Sequence, residues 1–362
     1  MSVQIGYKKQ FLFWIFLILI ILISVEISLR IYEYITIPCG IFENDAFSNL
    51  KYFEIKNICY DTNTLVHGKA PLFPIVPNQY KFTMNINSDG FRGDEINTNK
   101  NDNYRIFITG GSTAFGFGST SDETTIAGFL QESFDNEFKN LNVEIINAGV
   151  NGADSYREIL LIKENLVEYE PDLIISYTGT NDSGGYYKEI ILDTTKDDYV
   201  PDLFKFSYHP WYRTPFVIHN LINQNNIESK VFPESLSSEQ IQKDSESFRK
   251  NWSQSCDFLK DNKIKSILIL QPALITKKMP SNFEKGIDTW IYREQLLENY
   301  AKELQLLNEK CDYTFDFRNA MDDSSETTYY DTVHMNDLGN KIIAEKIYEK
   351  ISSIVLEDIK NH

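Results

Sequence analysis

The chain has 362 residues, room for about two domains of roughly 150 residues each, and its 42% apolar and 14% aromatic content excludes wholesale disorder. Fifty-two acidic against 35 basic residues leave a net charge of −17. A surface that acidic repels phosphate backbones, so no nucleic-acid partner is expected. Four cysteines, at 39, 59, 256 and 311, are too few for a disulfide scaffold and form no CxxC pair, which excludes a zinc ribbon and thioredoxin-type chemistry.

The amino terminus carries a membrane signal. Phe11–Val25 is an uncharged apolar run behind Lys8 and Lys9 and ahead of Glu26 and Arg30. Those residues alone fall short of an apolar core about 30 Å thick, but Ile27 and Leu29 add length and the flanking charges can snorkel. Val25-Glu26-Ile27-Ser28 makes a poor cleavage site, which favours an uncleaved anchor over a removed signal or a buried helix. Lys8 and Lys9 place residues 1–10 in the cytoplasm, 11–30 across the bilayer and the remaining chain outside; Arg30 opposes this orientation mildly. The expectation is a single-pass membrane protein with an extracytoplasmic domain.

Residues 31–104, punctuated by Pro38, Pro71, Pro74 and Pro77, read as a stalk and lead-in ending in short strands. Asn85–Glu95 alternates and turns on Asp89-Gly90, a hairpin signal. From Arg105 onward strands and helices alternate. Strands are predicted at 105–109, 143–149, 172–179, 265–273 and 313–317. Helices are predicted at 124–138, 155–169 with Ser155 as N-cap, and near 240–262, 284–310 and 336–356. Buried strand runs separated by helices imply a parallel sheet covered on both faces. The aromatic-rich stretch from about 183 to 240 is longer than any ordinary connection and reads as a cap over the carboxyl edge of the sheet.

Ligands of an open parallel sheet bind outside the carboxyl ends of its strands. Those ends carry Ser112, Gly149 with Gly152, and Asn181, and Asp331-Thr332-Val333-His334 precedes the last helix. Each fragment has a plain structural reading too: Gly110-Gly111-Ser112 as a tight turn, Asp-x-x-His as a cap beside a surface histidine. Their shared edge favours chemistry. Ser112 needs a base to become a nucleophile. His334 is the best placed of five histidines, since His67 lies in the stalk, His209 and His219 in the insertion and His362 at the end. Asp331 could fix its tautomer. The N–H groups of Ser112 and Gly152 and the amide of Asn181 could receive an oxyanion. The order Ser, Asp, His is that of α/β-hydrolases, but the G-x-S-x-G elbow is absent.

These residues resemble the blocks of the SGNH (GDSL-like) hydrolases. Gly110-Gly111-Ser112 matches the first block with Gly111 in place of its usual Asp, NAGVNGADS the second, Gly179-Thr180-Asn181-Asp182 the third and Asp331–His334 the last. The resemblance implies a flavodoxin-like three-layer α/β/α sandwich over 105–357. It also implies Ser112, Asp331 and His334 as catalytic residues, and Ser112, Gly152 and Asn181 as the oxyanion hole. INSDGFRGDE is similar to a lead-in of membrane-anchored bacterial members. The expected function is a serine esterase acting on O-acetyl or other acyl groups of a carbohydrate or lipid; alternatives are an O-acyltransferase with the same triad and a non-catalytic assembly or binding module. No metal or cofactor is expected, because GxGxxG, P-loop and HExxH patterns are missing. Asp197-Asp198 and Asp322-Asp323 read as solvated loops. Cys39 and Cys59 are open to pairing or to remaining two unrelated thiols.

Overall fold

The apolar runs become five parallel strands in the computed structural model, which describes residues 6–68, 74–97, 100, 103–138, 141–182, 214 and 236–361. In chain order these strands are β3 (Tyr104–Gly110), β4 (Val143–Gly149), β5 (Leu173–Thr178), β6 (Lys265–Leu270) and β7 (Tyr313–Asp316), after the two-residue pair β1 (Gln79–Tyr80) and β2 (Asn85–Ile86). Their order across the sheet is β4-β3-β5-β6-β7, all parallel. Numbered within the sheet this is 2-1-3-4-5, the flavodoxin-like order, whose topological switch point lies between β3 and β5.

Period-two alternation feeds two cores. Phe107, Ile174 and Leu268 face one side, where they meet Ile159, Ile162, Phe248, Trp252 and Tyr300. Ile106, Ile108, Ile175 and Ile267 face the other, against Leu130, Phe134, Ile343, Ile347 and Ile351. The first layer comes from α5 (Ser155–Glu164), α6 (Ser238–Asp261) and α7 (Ile291–Leu306). The second comes from α4 (Ile126–Glu137) and α8 (Asp337–Asn361). Two expectations shift. The helix expected from 284 starts at Ile291, because Glu284 turns into a buried ion pair with Lys277 and only a 3-10 turn forms at Glu284–Gly286. The N-cap of α5 is Asp154, not Ser155. The Asp154 carboxylate accepts from Arg157 N at 3.1 Å, and Ser155 faces Asp182 instead.

Chain contacts divide the molecule into two units, residues 1–38 with 200–231 and residues 39–199 with 232–362. The first holds α1 (Tyr7–Thr36), longer at both ends than the expected 11–30. At 1.5 Å per residue its 30 residues reach about 45 Å. It is long and apolar enough to cross a membrane, with none of its most apolar window buried. Glu26 and Arg30 pair within it at 2.6 Å.

The division differs from the expected stalk over 31–104, since residues from Cys39 onward belong to the second unit. The physical reason is aromatic packing. Phe42 and Phe47 are fully buried, with ring centroids 5.5 and 5.1 Å from Tyr330. Cys39 is disulfide-bonded to Cys59 on α2 (Tyr52–Asn63), and Cys256 to Cys311, a pairing absent from the sequence reading. The Asn85–Glu95 hairpin forms: Gly90 turns at φ 89°, Ile86 bridges Arg92 antiparallel and the Asn87 N–H donates to Phe91 O at 2.9 Å, while β2 also pairs with β1. The expected cap at 183–240 lies outside the described residues, apart from Thr214 and the first residues of α6.

Candidate active site

The switch point between β3 and β5 gathers the sequence-predicted residues. β3 ends at Gly110, and Ser112 opens the short helix α3 (Ser112–Phe115). The first N–H groups of a helix have no carbonyl one turn back, so the Ser112 N–H has no acceptor within its own helix. β5 ends at Thr178, and the loop 179–182 follows. The segment before α8 delivers Asp331 and His334 to the same place.

His334 Nε2 lies 2.7 Å from Ser112 Oγ, and His334 Nδ1 lies 2.6 Å from Asp331 Oδ2. The other Asp331 oxygen accepts the backbone N–H of Val333 at 2.8 Å and of His334 at 2.7 Å. Burial raises the Asp331 pKa, but the adjacent His334 and these hydrogen bonds outweigh it and hold the carboxyl below the usual range. An ionised Asp331 only accepts, so Nδ1 carries the hydrogen and Nε2 is left to accept from the Ser112 hydroxyl. The imidazole is flanked by the rings of Phe117 at 5.0 Å and Tyr330 at 5.8 Å.

Asn181 meets both remaining blocks. Its Nδ2 donates to Ala153 O at 2.7 Å, beside Gly152, which adopts φ 74°. A Cβ placed on Gly111 would fall 2.2 Å from the same Nδ2. Glycine in place of the first block's Asp is therefore what lets the Asn181 amide sit against the serine turn. One N–H of that amide remains beyond the Ala153 bond. Asp182 turns the other way, accepting from Ser155 N at 3.1 Å and Ser155 Oγ at 2.6 Å. Ser112, Gly152, Asn181 and His334 are all half-buried, so the site is open to a substrate.

Behind the site sit groups that sequence reasoning passed over. Glu158 on α5 is buried against β3 and β5, where Thr178 Oγ1 donates to it at 2.6 Å. Lys277 and Glu284 form a fully buried pair at 2.7 Å. Glu284 also takes the backbone N–H of Thr328 and Tyr329, just before Asp331. Glu158 and Glu284 fall in stretches with helical patterning and Lys277 in a connection, where a charged residue carries no signal of such burial. Of the other histidines, His67 bridges Ile75 in the lead-in, and 209, 219 and 362 lie outside the described residues.

A family model of the GDSL-like lipase/acylhydrolase domain matches residues 87–347. The chain belongs to that family. It is thus an SGNH-type serine hydrolase acting on esters. Solved structures similar to it include the acetyl xylan esterase AlAXEase, 14% identical over 68% of this chain and 99% of that one, with a TM-score of 0.42. A catalytic mutant of the acetylxylan esterase Axe2 from Geobacillus stearothermophilus is 13% identical over 68% and 94%, with a TM-score of 0.43. LAE5, an alpha/beta hydrolase from the metagenome of Lake Arreo, Spain, is 12% identical over 68% and 94%, with a TM-score of 0.40. A search of curated proteins finds no match.

Proposed function

We propose that this SGNH hydrolase is a membrane-anchored esterase that removes acyl groups from a carbohydrate or lipid through an acyl-enzyme on Ser112. The observation that carries the reading is the continuous Ser112–His334–Asp331 relay at 2.7 and 2.6 Å. Ser112 Oγ attacks the acyl carbonyl as His334 Nε2 takes its proton, and Asp331 stabilises the imidazolium. The Ser112 and Gly152 N–H groups and Asn181 Nδ2 receive the negative oxygen. The His334 proton then passes to the leaving alcohol, and water repeats the sequence on the acyl-enzyme. Helix α1 anchors the enzyme, with residues 1–10 cytoplasmic and the catalytic domain outside. The Cys39–Cys59 and Cys256–Cys311 disulfides support the oxidising side of the membrane.

The test is incubation of the full-length chain in detergent with p-nitrophenyl esters of increasing acyl length, followed by intact-mass analysis. An acyl adduct on Ser112, lost in Ser112→Ala together with hydrolysis, is expected. Hydrolysis that survives Ser112→Ala overturns the acyl-enzyme. Acyl transfer to added sugar exceeding release to water replaces the hydrolase with a transferase. Carbonate washing and external protease check the anchor: the chain should stay in the membrane fraction and its catalytic domain should be degraded. A shortened soluble form overturns it.

A further inference from the structure

The lead-in Asn85–Glu95 contains an arginine whose whole hydrogen-bonding capacity is spent around the serine turn. Arg92 is 4% exposed. A guanidinium has five N–H donors, and all five are used here. Nε donates to Asp122 Oδ1 at 2.7 Å. Nη1 donates to Phe115 O at 3.1 Å and Gly116 O at 2.7 Å, and Nη2 to Thr83 O at 2.9 Å and Ser121 O at 3.1 Å. Phe115 O and Gly116 O are the carbonyls at the far end of the helix that starts with Ser112. The N–H groups of Gly116 and Phe117 return to Ser112 O at 3.0 and 2.9 Å. The same turn carries Phe117, whose ring lies against His334 and whose carbonyl accepts the Tyr330 hydroxyl at 2.7 Å. One turn therefore touches the backbone of Ser112 and the ring of His334, and Arg92 grips it.

We propose that Arg92 is a positioning residue that keeps Ser112 Oγ and His334 Nε2 in register by clamping the 115–117 turn. This rests on Ser112 being the nucleophile. Lysine cannot replace the clamp fully, since three rotatable donors on a point charge do not match five in a rigid fork. A second arginine supplies the comparison. Arg105 is equally buried, pairs through Nε with Glu144 at 2.8 Å and donates to Tyr169 O and Asn97 O. It sits at the opposite end of β3, about 20 Å from the serine turn at 3.3 Å per residue.

The experiment compares Arg92→Lys, Arg92→Met and Arg105→Met in the full-length chain, well below each variant's melting temperature. It reads kcat and KM on p-nitrophenyl acetate and the rate of Ser112 phosphonylation by a fluorophosphonate, followed by mass. Misplacing a reacting group by about 1 Å can cost on the order of 10²-fold. Arg92→Met should therefore lose about 100-fold, and Arg92→Lys about 10-fold, in kcat and phosphonylation alike, with KM within about twofold. Millimolar methylguanidinium should return part of the Arg92→Met rate. Arg105→Met should lower the melting temperature and leave kcat within about twofold. Equal rate losses in the Arg92 and Arg105 variants, tracking only their melting temperatures, overturn the proposal; so does full kcat in Arg92→Lys and Arg92→Met. A wild-type chain hydrolysing the ester with no phosphonyl adduct on Ser112 overturns the nucleophile assignment itself, which is a separate and recognisable failure.

Discussion

The site is assembled from two regions, and each is backed by a buried glutamate that meets the cost of burial in the opposite way. Behind the strand ends carrying Ser112 and Asn181, Glu158 meets only hydroxyls, Thr178 Oγ1 at 2.6 Å and Thr109 Oγ1 at 3.2 Å. Burial pushes its pKa well above the usual value, and Asp182 and Asp154 add to the rise. Behind the segment carrying Asp331 and His334, Glu284 meets Lys277, the N–H groups of Ser281, Thr328 and Tyr329, and the Thr328 hydroxyl. Burial raises its pKa too, but the Lys277 ammonium and those donors outweigh it and the carboxyl ends below its usual range. A buried carboxyl survives either by giving up its charge or by being surrounded with donors. The strand ends are rigid and need only a neutral plug. The loop before His334 has one antiparallel bridge, Tyr329 to Met335, in place of a full strand ladder, and the charge-assisted bonds reinforce it.

The largest effect tests the loop region directly. Asp331→Asn keeps the shape but presents an amide to Nδ1, and turnover should fall by up to about 10⁴; a loss under about tenfold on a p-nitrophenyl ester would move the orienting role to another group. Next comes Lys277→Met, which leaves Glu284 buried without its cation and should cost about 3–5 kcal/mol in denaturant unfolding. If it costs less than about 1 kcal/mol, the ion pair is not what holds residues 326–329 and the contrast with Glu158 collapses. On the strand side, Asn181→Ala removes one of the proposed oxyanion donors and should lower kcat by about 10²–10³, or roughly 2.7–4 kcal/mol, with KM nearly unchanged. Full turnover in that variant would require the oxyanion pocket to be rebuilt around other donors.

The strands and the site blocks were legible because their signals are local. A buried run such as Leu173–Thr178 or a Gly-x-Asn-Asp turn declares itself within a few residues, and a parallel sheet follows from alternation with helices. What stayed hidden depends on partners far away in the chain. The packing of Phe42 and Phe47 on Tyr330 spans most of the sequence, so a proline-punctuated segment read as a stalk. Cys256 and Cys311 are 55 residues apart, with nothing in their flanks to show that α6 and the loop between α7 and β7 come together. Lys277 and Glu284 look like surface charges in sequence and are fully buried in the fold. Arg92 was visible inside the lead-in motif, but its five acceptors, four of them backbone carbonyls, leave no trace in residue type.

The smallest expected effect separates the two glutamates most cleanly. The Thr109 hydroxyl lies 3.2 Å from Glu158 Oε2 and 3.0 Å from Ser176 Oγ, and it has one proton to give. With Glu158 protonated, the form its raised pKa favours, the carboxyl O–H is available to Thr109 Oγ1, the Thr109 proton is left for Ser176 Oγ, and Thr178 donates to the other carboxyl oxygen. Glutamine reproduces that pattern with an amide N–H in place of the O–H. Glu158→Gln should therefore differ from wild type by no more than about 1 kcal/mol near pH 4, where the glutamate is largely protonated in both states, and gain on it at higher pH. The pH dependence carries the sign. A raised folded-state pKa means the native state holds the proton longer, so the Glu158 contribution is present below the unfolded value near 4.3 and lost as pH rises towards the folded value. Glu284 runs the other way, its contribution present above the unfolded value and lost as pH falls through the folded one. In urea unfolding from pH 4 to pH 8 the gap between Glu158→Gln and wild type should thus move steadily in favour of the variant. A gap that stays constant with pH, or a neutral-pH loss above about 2 kcal/mol, would mean that Glu158 is ionised and that both regions hold charged carboxylates.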